Sequence, residues 1–227
     1  MTGSQETTEN KTSMRLVLPR LYVILDRALL TIPETECARQ LVDTGVRWLQ
    51  YRNKTASSRE LLASAKQLSD AVVPRGVTLI VNDRADTAAL AGASGVHVGQ
   101  EDLGVEEARA VIGPDKLVGI STHNRAQFER AAATSADYIA VGPIFSTSTK
   151  ANPDPVVGVE FLRQIRPLTD KPIVAIGGIT LERAAEVVRA GADSVAAIGD
   201  ILRARDPGAR ALQFIEILEA AIHAPGV

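Results

Sequence analysis

Residues 78–100 read TLIVNDRADTAALAGASGVHVGQ. Two short apolar runs, TLIV and GVHV, each lead into polar residues, Asn82-Asp83 in the first case and Gln100 in the second. The segment between them is alanine-rich and stops at Gly92, as helices stop at a C-terminal glycine. This is the pattern of a strand, a helix and a second, parallel strand.

The unit recurs in both directions. Upstream lie LYVILD (Leu21–Asp26) and RWLQYR (Arg47–Arg52). Downstream lie LVGIST (Leu117–Thr122), YIAVGP (Tyr138–Pro143), PIVAIGG (Pro172–Gly178) and SVAAIG (Ser194–Gly199). With TLIVND (Thr78–Asp83) and GVHVGQ (Gly95–Gln100) they make eight strand candidates, each followed by a helix-like segment. The pattern predicts the α/β class and a single (β/α)8 TIM barrel, whose chemistry sits at the C-terminal strand ends. Strands this apolar are buried on both faces. Ser57 and Glu60 form a capping box opening a helix to about Val72. Asp206-Pro207 announce a final helix over roughly Ala209–Ile222. Gly45, Gly113 and Gly191 mark further helix ends. The alternative is an open doubly wound sheet. It would carry fewer strands and a GxGxxG after the first, where Asp26-Arg27 stands instead.

Composition narrows the function. The 227 residues suit one domain, and 45% are apolar, enough for a large core. Net charge is −2, so no global field invites nucleic acid or a membrane surface. The single cysteine, Cys37, rules out an intramolecular disulfide and a CxxC metal site and reads as a buried thiol. Residues 1–15 are polar and aperiodic and are expected to be disordered; residues 16–227 are expected to form the barrel. No run is long enough to span a bilayer, and no secretory core is present, so a cytoplasmic protein is expected. Homo-oligomerisation is left open.

Gln50, Arg52 and Lys54 alternate at the end of the second strand and so point one way. Two cations there suit a phosphate or diphosphate, unless the segment is only a solvated loop. Asp83 and Asp102 end neighbouring strands and could share magnesium, which takes one or two carboxylates and completes its shell with water and phosphate oxygens. The plainer alternative is helix N-capping, above all for Asp102. The stretch GPIFSTSTKANPDPVVG (residues 142–158) is long and aperiodic, a candidate lid presenting hydroxyls and Lys150. Gly177-Gly178 and Ile198-Gly199-Asp200 end the last two strands, where barrels often bind phosphate. His97 reads as a hydrogen-bonded core residue. His123 reads as an acid–base candidate or a loop-orienting group.

QYRNK, the ND of VNDRAD, GVHVGQED, GIST, GPIFSTSTK, AIGGI and AAIG stand in an order that resembles the thiamine-phosphate synthase (thiamine-phosphate pyrophosphorylase) family, from about Leu21 to Gly199. That family is a (β/α)8 barrel. It joins 4-amino-5-hydroxymethyl-2-methylpyrimidine diphosphate to a thiazole phosphate and releases pyrophosphate, with CO2 lost from a carboxylated thiazole. The resemblance implies that Gln50, Tyr51, Arg52, Asn53, Lys54 and Asn82 hold the pyrimidine diphosphate. It implies Mg2+ on Asp83 and Asp102, and Ser121 near the pyrimidine. Thr147, Ser148, Thr149 and Lys150 would come from the lid, with the threonines on the thiazole and the lysine on the diphosphate. Gly178, Ile198 and Gly199 would bind the thiazole phosphate. Arg52, Lys54, Ser121 and Lys150 would take the catalytic roles. Gly199 departs from the family's usual serine, which removes one hydroxyl contact. The partners implied are small-molecule substrates.

Three other functions compete. A thiazole tautomerase on the same barrel would not need the diphosphate and metal set. A sugar-phosphate isomerase or epimerase explains the last two glycine ends but not the aspartates and cations. A non-catalytic ligand-binding barrel is separated from all of these by a coupling assay.

Overall fold

Each predicted strand forms, and each pairs in parallel with the next until the eighth returns to the first, closing the barrel. The computed structural model describes residues 16–147 and 154–223. The strands are β1 (Leu21–Asp26), β2 (Trp48–Arg52), β3 (Thr78–Asn82), β4 (Gly95–Val98), β5 (Leu117–Thr122), β6 (Tyr138–Val141), β7 (Ile173–Ile176) and β8 (Ser194–Ala197). The helices are α1 (Glu34–Asp43), α2 (Ser58–Val72), α3 (Ala85–Leu90), α4 (Val105–Ile112), α5 (Arg125–Ala132), α6 (Val159–Ile165), α7 (Leu181–Arg189), α8 (Gly199–Leu202) and α9 (Pro207–His223). Residues 1–15, where disorder was expected, and Ser148, Thr149 and Lys150 of the lid lie outside the described residues.

Local signals act where the sequence puts them. Ser57 and Glu60 exchange both bonds of the capping box that starts α2. Asp206 Oδ1 accepts from Ala209 N, 2.9 Å, in the first turn of α9. Gly45, Gly92, Gly113 and Gly191 all carry positive φ just past α1, α3, α4 and α7. Several strands stop short of their predicted ends. Gly177 and Gly178 have φ of 100° and 62°, so β7 ends at Ile176. α8 was not foreseen; at four residues it is too short to show a period.

Two apolar layers hold the fold together. The larger lies between strands and helices and includes Leu25, Leu41, Tyr51, Leu68, Phe128 and Phe214. Each such side chain, fully buried, contributes about 1.5–3 kcal/mol. Cys37 is completely buried in this layer, and burial pushes its thiol up to about 11, as an inert core thiol requires. The smaller layer fills the barrel itself with Tyr22, Ile24, Trp48, Ile80, Tyr138, Val174 and Ala196. Aromatic rings are unusual where branched aliphatics normally pack. Gly119 makes room for them: a Cβ there would stand 2.1 Å from the Tyr138 ring. No helix among the described residues is long and apolar enough to cross a membrane.

Candidate active site

The C-terminal ends of β1–β4 carry a chain of charges. Arg52 lies in register beside Asp26, and its Nη1 donates to the buried Asp26 carboxylate. Asp26 also caps the turn after β1, accepting from Ala28 N at 3.1 Å. Lys54 Nζ pairs with Asp83 Oδ2. Asp83 has φ 64°, a left-handed turn that Asp tolerates better than most residues, and its N–H donates to His97 O at 2.7 Å. The turn carries Asp83 out of the line of β3. Asp102 Oδ2 accepts from Gly99 N at 2.8 Å. Asp102 as a residue is exposed, yet its carboxyl is partly shielded from water. That shielding raises its pKa. The Gly99 N–H opposes the rise, the neighbouring Asp83 carboxylate adds to it, and Lys54 counters it. Asp83 and Asp102 therefore converge. Neither is the helix cap its position allowed, since Arg84 and Gly104 precede α3 and α4.

Below these charges a polar row runs through the barrel. Gln50 Nε2 donates to Tyr22 OH at 2.7 Å, and Tyr22 OH lies 3.0 Å from Tyr138 OH. Tyr138 OH is 3.0 Å from His97 Nδ1, whose Nε2 is 2.8 Å from Ser121 Oγ. His97 is thus the hydrogen-bonded core residue its position suggested. Burial lowers its pKa to about 4, with Asp102 opposing and His123 reinforcing, so the ring is neutral at pH 7. His123 orients the loop after β6: Nδ1 donates to Gly142 O at 2.6 Å, and Nε2 lies 3.5 Å from Asp154.

The β6–β8 side is built differently. A cleft of about 320 Å³ is lined by Ser146, Thr147, Gly178, Ile198, Gly199 and two arginines, Arg183 and Arg203. Gly178 has no room for a side chain, because a Cβ would stand 2.3 Å from Ser146 O. Gly199 begins α8, whose first N–H groups have no partner within the helix. Arg183 stacks on Phe145, its Cζ 4.6 Å from the ring centroid, and reaches Gly178 O at 3.3 Å.

Most of the residues singled out in the sequence meet at this mouth, but two do not point into it. Tyr51 faces outward from β2; its OH donates to Glu34 Oε1 on α1 at 3.1 Å. Strand alternation puts it opposite Gln50 and Arg52. Asn53 is spent on its own loop, its Oδ1 accepting from Thr55 N and Ala56 N. Asn53 Nδ2 also reaches Tyr51 OH at 3.3 Å. Asp26, Arg183 and Arg203 were missed. Asp26 is the register partner of Arg52, a long-range relation. Arg183 sits on α7 and Arg203 just past α8, positions where a charge usually means a solvated face.

Among the described residues no three His, Cys, Asp or Glu side chains gather into a metal cage. The Asp83–Asp102 pair, in which the Asp83 carboxylate adds to the rise in the Asp102 pKa, instead suits a hard cation that takes two carboxylates and finds its other ligands on substrate and water.

A family model described as thiamine monophosphate synthase matches residues 21–201. The thiamine-phosphate synthase of Koribacter versatilis is 53% identical over 212 residues, which cover 90% of this chain and 98% of that relative. The corresponding protein of Agrobacterium fabrum is 39% identical over 211 residues, 90% of this chain and 96% of its own. The solved thiamine phosphate pyrophosphorylase of Pyrococcus furiosus superposes with a TM-score of 0.82 at 33% identity, covering 90% of this chain and 97% of that one. The chain belongs to the thiamine monophosphate synthase family.

Proposed function

We propose that the chain couples 4-amino-5-hydroxymethyl-2-methylpyrimidine diphosphate to a thiazole phosphate, yielding thiamine phosphate and pyrophosphate. The observation that carries this is the pairing of two unlike anion sites on one barrel mouth: charged side chains on β1–β4 and a glycine-lined cleft at β6–β8. A diphosphate and a monophosphate would occupy them respectively.

Arg52 and Lys54 would bind the diphosphate, exchanging the carboxylates they now hold for phosphate oxygens. Asp83 and Asp102 would hold magnesium, whose Lewis acidity would neutralise charge on the leaving pyrophosphate. Gln50, Asn82 and Ser121 would grip the aminopyrimidine. Gly178, Ile198 and Gly199 would offer N–H groups to the thiazole phosphate, and Arg183 and Arg203 would add positive charge. Thr147 would meet the thiazole, and Ser148, Thr149 and Lys150 would complete the site. The pyrimidine methylene C–O bond breaks with its electron pair leaving on pyrophosphate. The thiazole nitrogen lone pair then forms the new C–N bond. A carboxylated thiazole would also lose CO2. Catalysis is thus positioning and electrostatic stabilisation of the leaving group. The partners are small molecules and the setting is the cytoplasm.

The test is a coupling assay with the pyrimidine diphosphate and each thiazole phosphate, with magnesium and with a chelator. Thiamine phosphate formed only with metal is expected. No product from either thiazole under any condition would overturn the assignment.

A further inference from the structure

The row from Gln50 to Ser121 spans the barrel through side chains of β2, β1, β6, β4 and β5, with four consecutive contacts of 2.7, 3.0, 3.0 and 2.8 Å. Gln50, Tyr22, Tyr138 and His97 are each at least nine-tenths buried. The His97 and Tyr138 rings stack at 5.5 Å, and Tyr22 and Trp48 meet Tyr138 edge-on at 6.0 and 5.9 Å. Polar groups this deep are costly unless each donor meets an acceptor. Each tyrosine has one proton, and a neutral imidazole has one donor and one acceptor. With every tyrosine proton used inside the row, it runs in only two senses.

Gln50 presents Nε2 to Tyr22. Tyr22 then donates to Tyr138, and Tyr138 to His97 Nδ1. The imidazole proton sits on Nε2 and is donated to Ser121 Oγ. Gln50 is left with its carbonyl oxygen and one amide N–H, and Ser121 with its hydroxyl proton, so the acceptor at Gln50 and the donor at Ser121 are fixed for whatever enters the mouth. Were the Gln50 amide reversed, every bond would reverse, and Ser121 would offer only a lone pair.

We propose that this hydrogen-bond wire couples Gln50 to Ser121, so that the site accepts a ring edge with an amino donor beside a ring-nitrogen acceptor and rejects the oxo analogue. Tyr22, Tyr138 and His97 are its positioning residues. The inference deepens the proposed function and rests on Gln50 and Ser121 facing the pyrimidine. An oxo pyrimidine presents C=O and N–H, the inverted pattern. It would force the whole wire to reverse or leave buried groups unpaired.

Two measurements test it. The first needs no substrate: 15N NMR of His97, assigned by its loss in His97→Gln. The proton is expected on Nε2 in the unaltered protein. In Gln50→Glu at pH 8 the carboxylate can only accept, so the proton is expected to move to Nδ1, three hydrogen bonds away. A proton on Nδ1 in the unaltered protein, or one that stays on Nε2 in Gln50→Glu, overturns the wire. The second compares kcat/KM for the 4-amino and 4-oxo pyrimidine diphosphates. Discrimination of at least about a hundredfold is expected, because a site built for one polar edge leaves groups unpaired on the other. Tyr138→Phe and Tyr22→Phe cut the wire at different links, and each should lower discrimination at least about tenfold. Unchanged discrimination in a folded variant overturns the coupling. An unaltered protein that makes no product overturns the proposed function instead, and the NMR result stands apart from it.

Discussion

The β1–β4 side of the mouth carries its charge on side chains, whereas the β6–β8 side relies on backbone with arginines at its rim. On the first side, ligand-free cations hold partners: Arg52 has Asp26 and Lys54 has Asp83. On the second, Arg183 rests on an aromatic ring and a carbonyl. A diphosphate must therefore displace carboxylates or recruit a metal to them, while a monophosphate enters a cleft shaped for it by missing side chains. The first side should be sensitive to loss of charge, and the second to gain of bulk.

The largest effect is expected at Asp83. Asp83→Ala should lower magnesium-dependent turnover by at least about a hundredfold, since metal stabilisation of the leaving group amounts to several kcal/mol. Its melting temperature should fall modestly, because alanine tolerates φ 64° less well than Asp and the Lys54 pair is lost, while relief of repulsion with Asp102 offsets part of the cost. The pH response follows from the same pair. A raised carboxyl pKa means that Asp102 holds its proton more tightly in the folded state, so magnesium activation should weaken as pH falls into that raised range. Steady-state turnover against pH and metal, read beside melting curves, decides both points. Full turnover in Asp83→Ala would remove the metal from this side of the comparison.

Arg52 should show a mixed effect. Arg52→Ala should weaken the pyrimidine diphosphate at least about tenfold, at roughly 1.5–3 kcal/mol per charged hydrogen bond, with little effect on the thiazole phosphate. It also strands Asp26, only 2% exposed. Removing one partner of a fully buried pair costs about 3–5 kcal/mol, and the cost here should be somewhat less because Arg52 keeps solvent contact. Arg52→Ala/Asp26→Asn should recover the stability and not the affinity. Calorimetric titration and denaturant melts separate the two. If the double variant regains diphosphate binding, Arg52 serves Asp26 rather than the substrate.

The two sides also differ in how plainly the sequence announces them. QYRNK, ND and QED mark the first side because charged residues at the ends of apolar strands are conspicuous. Tyr51 and Asn53 stand in the same stretch through the family resemblance; strand alternation turns the Tyr51 side chain to α1, and Asn53 Oδ1 is held by its own loop. Gly177 and Gly178 mark the second side by composition alone. Arg183 on α7 and Arg203 just past α8 are not conspicuous in sequence, since arginines on and beside helices look like any solvated face. The barrel was legible throughout, because its strands are local apolar runs. The wire was not, because Gln50, Tyr22, Tyr138, His97 and Ser121 come from five strands and meet only after closure.

At the cleft rim the effects should be smaller. Arg183→Ala should raise KM for the thiazole phosphate about three- to fivefold, as an exposed charge does, and should lose that effect at high salt. KM for the pyrimidine diphosphate should not move. Equal changes for both substrates would show that Arg183 senses the whole mouth rather than one side.

The smallest expected effect is at Gly199, and it asks whether backbone alone suffices there. Gly199 opens α8 in helical conformation and is not among the glycines of positive φ. Serine can therefore adopt its backbone, and serine is a better helix former than glycine. Gly199→Ser would add a hydroxyl beside N–H groups already unpaired within the helix. One net hydrogen bond contributes about 0.5–1.5 kcal/mol, so KM for the thiazole phosphate should fall by up to about tenfold while kcat holds. Gly178→Ala is the contrasting substitution in the same cleft. Its Cβ would meet Ser146 O at 2.3 Å on a backbone at φ 62°, so binding should be lost, not improved. Steady-state KM for the two variants measures the difference. A gain at 199 with a loss at 178 would mean that the cleft needs an open floor but tolerates a hydroxyl at its edge. A loss at both would mean that the monophosphate side depends on bare backbone throughout.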